Sequence, residues 1–97
     1  MLNDLAKEIH EIACEKGFYD NPASFIEKLY LIASEVFEAG DAWIKHREDE
    51  VKEELADILI RLLDFWHYYL PNSDIDFVVE NKIEKNKGRP YMHNKKL

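Results

Sequence analysis

The sequence predicts an all-α fold: a four-helix bundle-type subunit built round an antiparallel helical hairpin and assembled as a homo-oligomer. Three observations lead there. Apolar residues recur at helical spacing almost throughout, and no segment keeps the strict alternation of a strand. Gly and Pro number three each and, Gly40 apart, fall where helices are expected to begin or end. The long amphipathic helices, with an aromatic-rich stretch Phe65-Trp66-His67-Tyr68-Tyr69, carry more apolar surface than one hairpin covers.

The first helix is expected from Asn3, a good N-cap, to about Lys16, where Gly17 ends it; Leu5, Ile9, Ile12 and Ala13 form its apolar stripe. Gly17 to Pro22 has loop chemistry. The second helix starts near Pro22 or Ser24, with Glu27 three residues after Ser24 as a capping box, and runs to about His46. Phe25, Leu29, Ile32, Val36, Ala39 and Trp43 lie along one side of it. Gly40 weakens that helix by roughly 1 kcal/mol relative to Ala, so a packing or functional reason is expected behind it. After the link Arg47-Glu48-Asp49, a third helix runs from about Asp49 to Leu70 on the stripe Val51, Leu55, Ile58, Leu59, Leu62 and Trp66. Pro71-Asn72-Ser73 stops it, and Asp74 or Asp76 caps a fourth helix ending near Lys87, before Gly88 and Pro90.

Residues 1–97 make a single small domain. No stretch approaches the roughly 20 apolar residues of a membrane span, and the N-terminus lacks a basic-then-apolar signal pattern, so a cytoplasmic protein without membrane contact is expected. Cys14 is the sole cysteine, which excludes an intrachain disulfide or a cysteine metal cluster and points to a small buried apolar residue. The net charge of −7 divides unevenly. Lys82, Lys85, Lys87, Arg89, Lys95 and Lys96 make the tail basic, whereas the body is strongly acidic and would repel a nucleic-acid backbone.

The chemistry is carried by acids. Glu35 and Glu38 stand three apart on the second helix, and Glu54 and Asp57 three apart on the third, so each pair can aim its carboxylates at one spot. In an antiparallel hairpin opposed residues have numbers of constant sum. Glu35 with Asp57, and Glu38 with Glu54, both add to 92, which centres the turn on position 46. Apolar residues border both pairs: Leu31, Ile32 and Ala39 beside Glu35, Val51 and Ile58 beside Glu54. Carboxylates that close repel unless a cation compensates them, and an all-oxygen set suits Mg²⁺, with Mn²⁺ as substitute. A di-iron centre would want Glu-x-x-His on two helices, and only Asp64 with His67 approximates it. Lys82, Asn86 and Arg89 recur at i, i+4 and i+7, one face of the fourth helix, as a phosphate clamp requires; Lys85 adds charge.

With these residues in view the chain resembles the MazG-like all-α nucleoside triphosphate pyrophosphohydrolases. The likeness spans most of it, from KGFYDNP through LIASEVFEAGDAW and EELADILIRLLDF to NKIEKNKGRPYMHNKK. The family pairs ExxE with ExxD, here Glu35, Glu38, Glu54 and Asp57, and closes with Lys82, Asn86, Arg89-Pro90 and His93. The resemblance implies Mg²⁺-dependent cleavage between the α and β phosphates, giving a nucleoside monophosphate and pyrophosphate, in a house-cleaning role on the nucleotide pool. It also implies homo-oligomers, a tetramer first and a dimer second. Glu38 is the favoured base to orient water, and Lys82, Lys85, Asn86 and Arg89 would hold the phosphates. Two departures stand out: His93 is followed by Asn94 where the family often has glycine, and Ala33 stands where a His is common. Phe18 and Tyr19 are candidates for stacking on a nucleobase, or else a plug over the bundle end. Trp43 and Trp66 are expected in the core or an interface, and His10, His46 and His67 as surface or core residues. The alternative function is a non-catalytic helical oligomerisation or interaction module whose acids are surface features.

Overall fold

The computed structural model describes residues 1–91, which form four α-helices and no strand: α1 (Leu2–Glu15), α2 (Phe25–Ile44), α3 (Glu48–Tyr69) and α4 (Ile75–Lys87). None of these helices is long and apolar enough to cross a membrane. The helix bounds fall within about two residues of those expected, because the stop signals act locally. Gly17 at φ +84° and His46 at φ +58° adopt the left-handed conformation just past the ends of α1 and α2. At each end two amides fold back on the last turn: Phe18 N–H to the Ala13 carbonyl and Gly17 N–H to Cys14, then Arg47 N–H to Ala42 and His46 N–H to Trp43. This is the Schellman arrangement, and it satisfies carbonyls that a helix end otherwise leaves bare.

The start of α1 corrects the sequence reading. Met1, not Asn3, occupies the N-cap, and its side chain makes no capping bond. The cap comes from α4 instead: Asp76 accepts from the Leu2 amide at 2.8 Å, the Asn3 amide at 3.2 Å and the Met1 ammonium at 3.0 Å. Asn3 is released to serve α4, taking the Ile75 amide on Oδ1 at 2.8 Å and donating through Nδ2 to Asp74 at 2.8 Å. Asp74 caps α4 from within by accepting the Phe77 amide. At α2, Ser24 is the N-cap and its hydroxyl accepts the Glu27 amide, as the capping-box spacing implied.

Helix α3 is the central element, packed by α1 and by α2. Ala6, Leu63 and Ile75 are buried together, with Leu2, Ile9, Trp66 and Val79 around them. Leu5 and Ile12, placed on the α1 stripe by periodicity, are exposed. The inward arc is rotated toward Leu2 and Ala6 because α1 must face α4 as well as α3. Phe25, at the start of α2, meets Phe65 and Tyr69 near the end of α3, and the Tyr69 hydroxyl donates to the Ala23 carbonyl. Cys14 is exposed, contrary to the buried placement expected of it.

The chain is open. Its radius of gyration is 15.9 Å, where a compact domain of this length has about 12.5 Å. Phe37 is 75% exposed and Trp43 66%, so within one chain Trp43 is not a core residue.

Candidate metal centre

Between α2 and α3, carboxylate oxygens of Glu35, Glu38 and Glu54 lie within 4.8 Å of one another. The i, i+3 spacing puts the first two on one face of α2, and the packing of α2 on α3 brings Glu54 to them. Glu54 Oε2 is fully covered and has no hydrogen-bond partner, an orphaned acceptor that a bound cation would satisfy. Like charges this close disfavour ionisation. The neighbouring Glu35 carboxyl, then burial, and the charges of Glu38 and Asp57 push the Glu54 carboxyl up to about 7. All-oxygen donors with one orphaned atom fit a hard divalent ion such as Mg²⁺.

The fourth predicted ligand is placed differently. Asp57 raises Glu54 through its charge but stands outside the group of three. Glu35, expected opposite Asp57, instead meets Glu54 and forms an ion pair with Arg61, Glu35 Oε1 to Arg61 Nε at 3.2 Å.

Asp57 lines a neighbouring cleft of about 340 Å³, within the range of small-molecule sites. Its walls are Ile9, Ile12 and Ala13 of α1, Phe18 of the loop and Ile60 of α3, and its polar edge is Lys28, Asp57, Arg61 and Asp64. Phe18 is 70% exposed at this cleft, where a flat ring could lie against it. Tyr19 is otherwise engaged: its hydroxyl donates to Asp64 Oδ2 at 2.5 Å and its ring lies 4.3 Å from that of Tyr68. Burial, and next the bond to Asp64, hold that phenol well above its usual range, so it stays protonated. Asp64, only 6% exposed, also meets His10 Nδ1 at 2.9 Å, and the two partners satisfy both oxygens of a buried carboxylate. This network fixes the loop that carries Phe18 against α1 and α3.

Of the predicted clamp, Lys82 and Asn86 are exposed on α4 and Arg89 follows its end. Helix α4 packs mainly on α1, with Ile75 also meeting Leu63 of α3 in the core. His93, Lys95 and Lys96 lie outside the described residues. Arg61 and Lys28 are not among the residues expected at the site, and Asp64 stands out in the sequence only beside His67, as half of a di-iron pair. Arg61 was findable, standing four residues after Asp57 and seven after Glu54 on one helix face.

Compared with family models, with curated proteins and with solved structures, the chain matches none of them.

Proposed function

We propose that the chain is a Mg²⁺-dependent nucleoside triphosphate pyrophosphohydrolase of MazG-like type, releasing a nucleoside monophosphate and pyrophosphate. The observation that carries the reading is the convergence of Glu35, Glu38 and Glu54 round the covered, partnerless Glu54 Oε2. In this reading α2 and α3 are the antiparallel hairpin, and Glu35, Glu38 and Glu54 hold the ion with Asp57 at its margin. The chemistry a bound Mg²⁺ supplies is charge neutralisation at the phosphates and a lowered pKa for water. Glu38, the most exposed of the three, is the side chain free to take a proton from water beside the site. The adjoining cleft offers apolar walls to a nucleoside, with Lys28 and Arg61 at its edge for an anion.

Apolar side chains such as Phe37, Trp43 and Ile44 are left uncovered by one chain, which supports a homo-oligomer, tetramer or dimer. Such an assembly is also the means by which Lys82, Asn86 and Arg89 of a second copy would reach the carboxylates.

The test is incubation with each of the eight common NTPs and dNTPs, with and without Mg²⁺, assaying pyrophosphate and orthophosphate separately. Pyrophosphate with a monophosphate, only when metal is present and at least about a hundredfold slower for Glu38→Gln, is the expected result. Orthophosphate alone would move the cleavage position. No release from any nucleotide overturns the reading and leaves the helical interaction module.

A further inference from the structure

Arg61 has two faces. Its Nε lies 3.2 Å from Glu35 Oε1, and the same side chain lines the cleft beside Asp57 and Lys28. Glu35 is the more enclosed partner, with its side chain 16% exposed against 43% for Arg61. Three carboxylates converge here, and the guanidinium pairs with one of them, Glu35. A divalent ion drawn to Glu35, Glu38 and Glu54 competes with that guanidinium for the Glu35 oxygen and repels its charge. The pair is half-exposed, so holding it contributes little and breaking it is easy. Once displaced, the fork has a short way to go, since the cleft edge is already its other surface.

We propose that Arg61 is an exchangeable counter-ion: it neutralises Glu35 while the site lacks metal, and when metal takes Glu35 it turns to the cleft and meets the anionic end of the ligand. The idea rests on the metal-site reading above and adds an order to it. Metal binding comes first and builds the phosphate-binding cation, so a polyphosphate binds well only to the metal-loaded protein. The fork suits phosphate oxygens, which it can engage through two N–H groups at once.

The measurement is titration of the full chain, by calorimetry, with Mn²⁺ alone and then with inorganic triphosphate in the presence of saturating Mg²⁺. Wild type is compared with Arg61→Gln and Arg61→Lys, circular dichroism checking that each is folded. Arg61→Gln is expected to bind Mn²⁺ about 3- to 10-fold more tightly, because a competitor and a repelling charge are gone. The same variant is expected to bind triphosphate about tenfold more weakly, one charge-assisted contact having been lost. Arg61→Lys keeps the point charge, so it should restore most of the Mn²⁺ affinity of wild type but only part of the triphosphate affinity. Opposite signs for the two ligands are the signature. If both affinities fall together in a folded variant, Arg61 only presents Glu35, and the exchange is overturned; unchanged affinities overturn it equally. Wild type that takes up no Mn²⁺ at all overturns the metal-site reading itself, and is seen before any variant is made.

Discussion

Carboxylate oxygens of Glu54 and Glu35 lie within 4.8 Å of one another, and this closeness, with burial and the charges of Glu38 and Asp57, pushes the Glu54 carboxyl up to about 7 from its ordinary 4.5. Two acids in one site cannot both ionise cheaply without a cation. Below about pH 7 a proton therefore sits where a metal would bind.

The pH dependence follows with a definite sign. A folded-state pKa above the ordinary value means that Glu54 favours folding fully below about pH 4.5, and that this contribution is lost as pH rises through about 7. Without metal, the melting temperature should fall between pH 5 and 8, and Mg²⁺ should restore most of it at the upper end. Below pH 7 the proton competes with the ion, so metal affinity should drop, approaching tenfold per pH unit. Thermal melts of wild type and Glu54→Gln over this range check both statements. An identical pH slope in the variant would mean that another group carries it.

The two helix starts are tied by exchanged caps, and Asn3 is the pivot. Its side chain takes the Ile75 amide and donates to Asp74, while its own amide goes to Asp76. Asn3→Ala removes both side-chain bonds but leaves the Asp76 cap on α1. A loss of about 1–2 kcal/mol in urea unfolding is expected, the range for a helix cap. Hydrogen exchange should quicken mainly at the start of α4. A uniform change along the chain would deny Asn3 that local role. Acid acts on the same joint: hydrogen bonds from Asn3 to Asp74 and from the Leu2 amide to Asp76 hold both carboxyls below 3.8, so their contribution is present above that pH and lost as pH falls below it.

How far the sequence could be read depended on the range of the forces involved. Gly17, Ser24, Pro71 and Gly88 act on the residues beside them, so the helix bounds were visible along the chain. The spacing of Glu35, Glu38 and Glu54 was visible too, since helical geometry converts it directly into a shared face. Asn3 was misplaced because its partners, Ile75 and Asp74, are more than seventy residues away and only packing brings them near. Arg61 and Asp64 look on paper like solvated charges of α3. What marks them out is the position of α1 and of the Gly17–Pro22 loop, which no local rule supplies. Tyr19 is legible in the sequence as a ring for stacking or for a plug over the bundle end, but the bond from its hydroxyl to Asp64 is not.

That hydroxyl gives the next expectation. Asp64 is a buried carboxylate whose oxygens are met by His10 and Tyr19. Tyr19→Phe keeps the ring against Tyr68 and deletes only the donor, leaving one carboxylate oxygen unmet in a covered place. The cost should be about 1–3 kcal/mol, as for a hydrogen bond to a charged group. Because the loop also carries Phe18, the variant should bind nucleotide more weakly with little change in metal affinity. Denaturant unfolding and Mn²⁺ titration separate the two effects. A fall in Mn²⁺ affinity as large as the fall in nucleotide affinity would mean that the network supports the carboxylates and not the cleft.

Gly40 puts the openness of the chain to a direct test. It lies inside α2 with ordinary helical φ, and a Cβ added there meets nothing within 4 Å. In a single chain the residue therefore has no steric reason to be glycine, and Gly40→Ala should stabilise the helix by about 1 kcal/mol. For a domain of this size that raises the melting temperature by about 4–8 °C. The neighbours on α2 matter to the interpretation, because Phe37, Trp43 and Ile44 are exposed apolar residues of the kind a second copy would cover. Light scattering should accompany the melts. A rise in melting temperature with the mass unchanged is the expected outcome, and it would place the interface elsewhere than over Gly40. A drop in mass with the variant would mean instead that another backbone approaches α2 too closely for a methyl group, which is the packing reason one chain alone does not provide.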